Sequence, residues 1–228
     1  MSEQKFHNHK SYQNESPILV NLLSNPEKVL DLGCNQGAVS HHIIKTFPNV
    51  KVWGIEINPE ALKLALPVLE TGWAFDLDDL DTLESKLSGL YFDHIIAGDV
   101  LEHTWNIEEI TGILYKHLTS KGKIIISVPN FGHWTTLWVF FSRKWPRNPR
   151  GIFDKTHKKV IMRRNLHEFA SQCPNAIFKM AKRGYRFADT LKWPKFNKLI
   201  ILGLYPVRFI PYIRDFITFG YLFTITKP

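Results

Sequence analysis

The chain has 228 residues, enough for one large domain or one domain with a small insertion. Its 44% hydrophobic and 22% charged residues exclude a disordered or fibrous protein and supply a sizeable core. The formal charge of +8 keeps a phosphate-bearing substrate, an anionic membrane or RNA in view. The basic residues gather late, at Lys121 to Lys123, Arg143 to Arg150, Lys155 to Arg164 and Lys179 to Arg186, whereas most acidic groups fall in the first 120 residues. Cys34 and Cys173, the only cysteines, make neither a C-x-x-C metal site nor a disulfide framework. The polar N-terminus lacks an apolar signal core, and no apolar run reaches the roughly 18 residues a membrane helix needs. A cytoplasmic protein is expected, with a bare solvated basic surface as the plain alternative to a basic binding face.

In chain order, Val29–Leu32 reads as a buried strand ending at Gly33, and Val39–Phe47 as a helix. Lys51–Ile57 is a second strand. Pro59–Leu69 is a helix opened by Asn58 as cap and Pro59 in its first turn. Trp73–Phe75 and Asp93–Ala97 are the third and fourth strands. Ile107–Leu118 has helical spacing, and Lys123–Val128 is a fifth strand stopped by Pro129. Alternating strands and helices predict βαβ units and a parallel sheet, with ligands at the carboxyl ends of the strands. Beyond Pro129 the character changes. Trp134–Phe141 is strongly apolar, and Trp138, Phe140 and Phe141 are expected in the core. Asn165–Gln172 reads as a helix, Ile177–Phe187 as partly strand, and Tyr221–Thr226 as a final strand, a candidate antiparallel member. The apolar Leu199–Ile217, broken by Pro206 and Pro211, suits either an interfacial element for a lipid-linked acceptor or a cap on the sheet.

Val29-Leu30-Asp31-Leu32-Gly33-Cys34-Asn35-Gln36-Gly37 lies between a strand and a helix, where glycines let the backbone approach a ligand. Only two glycines stand where a dehydrogenase would show G-x-G-x-x-G, and there is no Walker lysine. Asn35, in place of a middle glycine, is the non-glycine residue type best suited to a left-handed angle. Glu56, at the end of the second strand, can accept from both hydroxyls of a ribose; its plain alternative is a solvated strand-end carboxylate. Asp76 follows the third strand, where it can accept from an adenine amino group or simply open an acidic loop.

VLDLGCNQG, GIEINPEAL, AFDLDDL, FDHIIAGDVLEHTW and GKIIISVPNFGHW together resemble the motifs of class I S-adenosylmethionine-dependent methyltransferases, of the type 11 and type 23 kind. GIFDKTHKKVIMRRNL is similar to the D-x-T-H-x-R segment of type 23 members, with Lys158-Lys159 standing where Leu-Arg is usual. SVPNFGHW also resembles a segment of the MetW-like proteins. The resemblance covers about Val29 to Ala170. It implies an α/β, doubly wound, mostly parallel seven-stranded Rossmann-like sheet with an antiparallel last strand. It implies one domain over 1–228, with an N-terminal cap over 1–26 and substrate-side lid and insertion elements over 129–217. It implies S-adenosylmethionine held by Asp31, Gly33, Cys34, Asn35, Gly37, Glu56, Ile57, Asp76, Leu77, Asp99 and Val100.

Methyl transfer from a sulfonium is an in-line displacement that needs positioning above all, and a base when the acceptor is a hydroxyl. Asp99, Glu102 and His103 follow the fourth strand. His103 is a candidate base or a loop-ordering histidine. Asp154 and His157 are a candidate acid–base pair in which the carboxylate orients the imidazole, or a pair that pins the loop. His133 and Trp134 line the pocket or pack the core. No pattern requires a metal, and Asp76, Asp78 and Asp79 read as a solvated acidic cluster. The expected function is methylation, on oxygen, of a small molecule, a sugar or a lipid-linked glycan, with peripheral membrane contact through 199–217. The alternatives are an RNA or protein methyltransferase, against which the missing Asn/Asp-Pro-Pro-Tyr motif speaks, and an inactive cofactor-binding partner subunit.

Overall fold

A computed structural model of the chain describes residues 16–149, 151–185 and 210–228. In order these form α1 (Ser16–Val20), β1 (Lys28–Leu32), α2 (Ala38–Thr46), β2 (Lys51–Glu56), α3 (Pro59–Ala65), β3 (Thr71–Ala74), α4 (Leu80–Leu87), β4 (Phe92–Gly98), α5 (Ile107–Lys116), β5 (Leu118–Pro129), α6 (Trp134–Ser142), β6 (Ile177–Tyr185), α7 (Pro211–Ile217) and β7 (Thr218–Thr226). Short 3-10 segments cover Leu66–Val68, Leu101–His103 and Arg163–Ala170.

The sheet has seven strands in the order β3-β2-β1-β4-β5-β7-β6. β1 to β5 pair in parallel, while β7 runs antiparallel to both β5 and β6. The expected doubly wound, mostly parallel sheet with an antiparallel last strand is what forms. Strand alternation sorts the core into two faces. Leu30, Leu32, Ile95, Ala97, Ile124 and Ile126 meet α4 and α5 through Leu83, Leu87, Ile110 and Leu114. Val29, Val52, Ile96 and Ile125 meet α1 and α2 through Leu19, Val20 and Ile43. The strand order reverses between β1 and β4, so a crevice opens at their carboxyl ends.

Local chemistry explains the boundaries. Asn58 caps α3 by accepting from the amides of Glu60 and Ala61, as its residue type predicts. The helix stops at Ala65 rather than Leu69, because the chain tightens into a 3-10 turn around Pro67. Asp79 caps α4 through the Thr82 amide. β5 extends to Leu118 at one end, beyond the expected Lys123. The stretch expected as a helix at Asn165–Gln172 is the 3-10 segment Arg163–Ala170. The lid region is not lid alone, since β6 within it completes the sheet. The core assignment of Trp138, Phe140 and Phe141 is corrected: they lie on α6 and are 69%, 77% and 71% exposed. Residues 199–209, the first part of the expected interfacial element, and the N-terminal residues 1–15 lie outside the described residues. No helix among the described residues is long and apolar enough to cross a membrane.

Candidate active site

The cofactor half is built by the turn after β1. Gly33, Asn35 and Gly37 take φ of 62°, 48° and 81°, all left-handed. Asn35 thus adopts the angle its side chain tolerates best. A Cβ on Gly33 would sit 2.7 Å from Cγ2 of Val100, so glycine is needed for both the angle and the close passage of the β4 loop. A Cβ on Gly37 would meet Ala65 Cα at 3.0 Å, which fixes how closely α3 packs. No side chain caps the N-terminus of α2 at Gly37, which leaves its first amides directed at the turn.

Glu56 ends β2 and takes two backbone bonds, from the Asn35 amide to Oε2 at 2.9 Å and from the Asn58 amide to Oε1 at 3.0 Å. A carboxylate has about four lone-pair directions, so acceptor capacity for two hydroxyls remains on a group already held rigid. Ile57 beside it is exposed, an apolar surface at the mouth of the crevice. Asp76 is exposed and accepts from the Asp78 amide through Oδ1 at 3.0 Å, while Leu77 is buried. Cys34 is buried against Gly54, and its amide donates to the Ile55 carbonyl. Burial lifts its thiol far above the ordinary range, so it packs rather than reacts.

Asp31 is buried, and the Ser40 hydroxyl donates to its Oδ2 at 2.7 Å. Burial pushes its carboxyl up to about 7, with the Ser40 bond pulling the other way. Asp99 has φ of 51° and is pinned by Ser127: its amide donates to the Ser127 carbonyl and Oγ, and the hydroxyl donates back to Oδ1 at 2.8 Å. Asp31, Gly33, Glu56, Asp99 and Val100 therefore converge at the carboxyl edge of β1, β2 and β4. These glycines, the left-handed turn and the acceptor carboxylate of Glu56 fit an adenosine-bearing cofactor.

The acceptor half differs from expectation. The Asp154–His157 pair does not form. The Asp154 carboxylate is taken by Thr156, whose amide and hydroxyl both donate to Oδ1, at 2.9 and 2.6 Å, because an aspartate two residues before a threonine closes its own turn first. The carboxylate nearest His157 is Glu102, with Nε2 to Oε1 at 3.9 Å. Glu102 is 1% exposed, and its carbonyl accepts from the amides of Lys158 and Lys159. His157 Nδ1 donates to the Ile152 carbonyl at 3.1 Å, which leaves Nε2 as the acceptor nitrogen. The two imidazoles of His103 and His157 meet edge to face, 4.8 Å between centroids. His103 Nδ1 lies 3.2 Å from the Thr156 carbonyl. Burial, then the neighbouring His103, holds His157 below its ordinary range. His133 is buried and caps α6, its Nδ1 accepting from the Thr135 amide.

Spacing did not reveal two further features. Asp78 is no solvated carboxylate. It accepts from the amides of Trp105 and Asn106 and from Lys158 Nζ at 2.8 Å, and so ties β3, the loop after β4 and the late basic segment together. Burial opposes its ionisation, but the Lys158 ammonium and the two amides outweigh that and keep its carboxyl below the usual range. On the far side of β5, Asp215 faces three arginines: Arg163 at 2.6 Å, Arg183 at 3.8 Å and Arg214 at 4.0 Å. Arg183 pairs in register with Tyr221, which pairs with Val128 near the end of β5, so this cationic cluster sits at the same edge of the sheet as the crevice.

Comparison with known proteins agrees with this architecture. A family model described as a methyltransferase domain matches residues 23–192. The malonyl-[acyl-carrier protein] O-methyltransferase of Bacillus cereus is 24% identical over 130 residues, 57% of this chain and 46% of that protein, so the match spans about half the length of that relative. A SAM dependent methyltransferase from Archaeoglobus fulgidus superposes with a TM-score of 0.63 at 16% identity, over 95% of this chain and 93% of that one. The plantazolicin methyltransferase BpumL, solved in complex with SAH, gives a TM-score of 0.56 at 16% identity, over 95% of this chain and 82% of that one. The chain belongs to the methyltransferase-domain family and carries the class I S-adenosylmethionine-dependent methyltransferase fold.

Proposed function

We propose that the chain transfers the methyl group of S-adenosylmethionine to a hydroxyl oxygen of an anionic acceptor, a small molecule, sugar or lipid-linked glycan. The observation that carries this reading is the grouping of Glu102, His103 and His157 directly after the β4 edge that Asp99 and Val100 share with the Gly33 turn. When bound, the cofactor supplies a sulfonium methyl that an oxygen lone pair displaces in line, the electrons of the broken C–S bond returning to sulfur.

The chain's own residues do the rest. Glu56, fixed by the Asn35 and Asn58 amides, holds the ribose diol, and the Gly33–Gly37 turn accepts the amino-acid end. Asp76 and Leu77 border the adenine. The acceptor hydroxyl gives up its proton at the Glu102–His103–His157 cluster, where partial burial keeps His157 neutral. The arginines around Asp215 favour an acceptor bearing phosphate or carboxylate. Exposed Trp138, Phe140 and Phe141 beside Arg143, Lys144 and Arg147 supply apolar and cationic surface for a lipid-linked acceptor. The apolar contact surface expected over 199–217 is thus joined by one on α6. The Bacillus cereus relative, by its name, methylates oxygen.

The test is transfer from methyl-labelled cofactor to a panel of anionic hydroxyl and amine acceptors. O-methyl product is expected, and His157→Ala lowers kcat on the order of 100- to 10,000-fold with cofactor affinity unchanged. Exclusive N-methyl product, or an unaltered kcat in the variant, contradicts the reading.

A further inference from the structure

We propose that Glu102, His103 and His157 form a binding site for one divalent first-row cation, such as Mn²⁺, Co²⁺ or Zn²⁺, at the acceptor side of the crevice. Their ligand atoms, one carboxylate oxygen and two imidazole nitrogens, all lie within 4.8 Å of one another. Glu102 Oε1 and His157 Nε2 are 3.9 Å apart. An ion roughly 2.1 Å from each donor requires donor separations between about 3 and 4.2 Å. Closing the cluster onto an ion therefore takes a side-chain shift of roughly 1 Å or less.

The surroundings have the form of a built site. Each imidazole is oriented through its Nδ1, His157 by the Ile152 carbonyl at 3.1 Å and His103 by the Thr156 carbonyl at 3.2 Å. That leaves Nε2 of each ring as the coordinating nitrogen, the arrangement in which an outer partner fixes tautomer and ring angle. Glu102 is held through its backbone, its carbonyl accepting from the amides of Lys158 and Lys159, which brings the two histidine-bearing segments to one carboxylate. One carboxylate and two imidazoles suit first-row divalent ions, and three protein donors leave positions open for an outside oxygen. Asp99, pinned by Ser127 three residues before Glu102, sets where the cluster stands relative to the cofactor turn.

The chemistry deepens the proposed function and rests on that reading of the crevice, whereas cation binding itself does not. An ion held there would act as a Lewis acid and lower the pKa of an acceptor hydroxyl bound to it. The hydroxyl proton passes to water, the oxygen lone pair forms the new O–CH3 bond, and the C–S bond breaks with its electrons going to sulfur. The ion keeps its oxidation state throughout.

The experiment uses the full chain, stripped by chelator and titrated with Co²⁺, read by calorimetry and by the visible absorption of the bound ion. One ion per chain is expected. Glu102→Gln and His103→Asn each weaken binding by about 10-fold or more while S-adenosylmethionine binding, measured in parallel, shows that both variants are folded. No saturable binding, or wild-type affinity retained in both variants because the ion sits on imidazoles elsewhere such as His41 and His42, overturns the site. Full-rate methyl transfer by the stripped chain that still collapses in His157→Ala also overturns the metal step and leaves the proposed function standing. Loss of cofactor binding in the folded wild type removes the proposed function, and the Co²⁺ titration still decides the cation site on its own.

Discussion

The two halves of the crevice are made differently. The cofactor half is backbone geometry: left-handed residues at positions 33, 35 and 37, a strand-end carboxylate on the neighbouring strand, and amides that hold it. The acceptor half is side-chain chemistry gathered from distant parts of the chain: Glu102 with His157, Asp78 with Lys158, Asp215 with Arg163. The first half is fixed locally, by a left-handed turn packed against Val100 and Ala65 and by the amides that hold Glu56. The second owes its shape to remote partners, Asp215 and Arg163 lying 52 residues apart and Asp78 and Lys158 lying 80 apart. A fold that fixes the cofactor locally and the acceptor remotely can exchange acceptors without rebuilding the cofactor turn.

This contrast can be broken from the cofactor side first. Asp31 has a folded-state pKa raised to about 7 against the ordinary 3.8, so its contribution to stability is fully present below about pH 4 and is lost as pH rises through 7. At about 1.4 kcal/mol per unit, the wild type loses on the order of 4 kcal/mol relative to Asp31→Asn across that window. Denaturant unfolding of both chains at several pH values checks this, and parallel curves contradict it. Gly33→Ala comes next. A left-handed alanine together with the 2.7 Å approach to Val100 costs roughly 3 kcal/mol, read as a fall in melting temperature with weakened cofactor binding.

The seam between the halves is sharpened by Asp78→Ala. It leaves Lys158 and the Trp105 and Asn106 amides without their shared acceptor, at a cost of about 1 to 2 kcal/mol. Acceptor KM rises and cofactor affinity changes little, in steady-state kinetics paired with binding measurements. An equal loss on both sides shows that the two halves are one mechanical unit.

What could be read beforehand follows the same division. The β1 turn was legible because Asp31 to Gly37 carries its own conformational signature, and Asn35 at φ of 48° is where residue type and backbone angle agree. Glu56 was legible from its place at a strand end. The remote pairs were not. Spacing puts Asp154 three residues from His157, but Thr156 lies nearer and takes the carboxylate. Asp78 resembles its acidic neighbours until the loop after β4 is folded over it. The aromatics of α6 mislead in the sequence because helical spacing marks an apolar face without saying what it meets, and its side chains at 138, 140 and 141 stand exposed. Glu102 needed the crossover from β4 to the segment after α6 before its nearness to His157 could be seen.

The most direct test of the central claim is calorimetric titration of S-adenosylmethionine into the wild type and into Glu56→Ala. Micromolar binding to the wild type, weakened on the order of 10- to 100-fold in the variant by loss of charge-assisted bonds to the ribose, is the predicted result. A folded wild type that binds no S-adenosylmethionine, or a Glu56→Ala chain that binds as tightly as the wild type, contradicts the account.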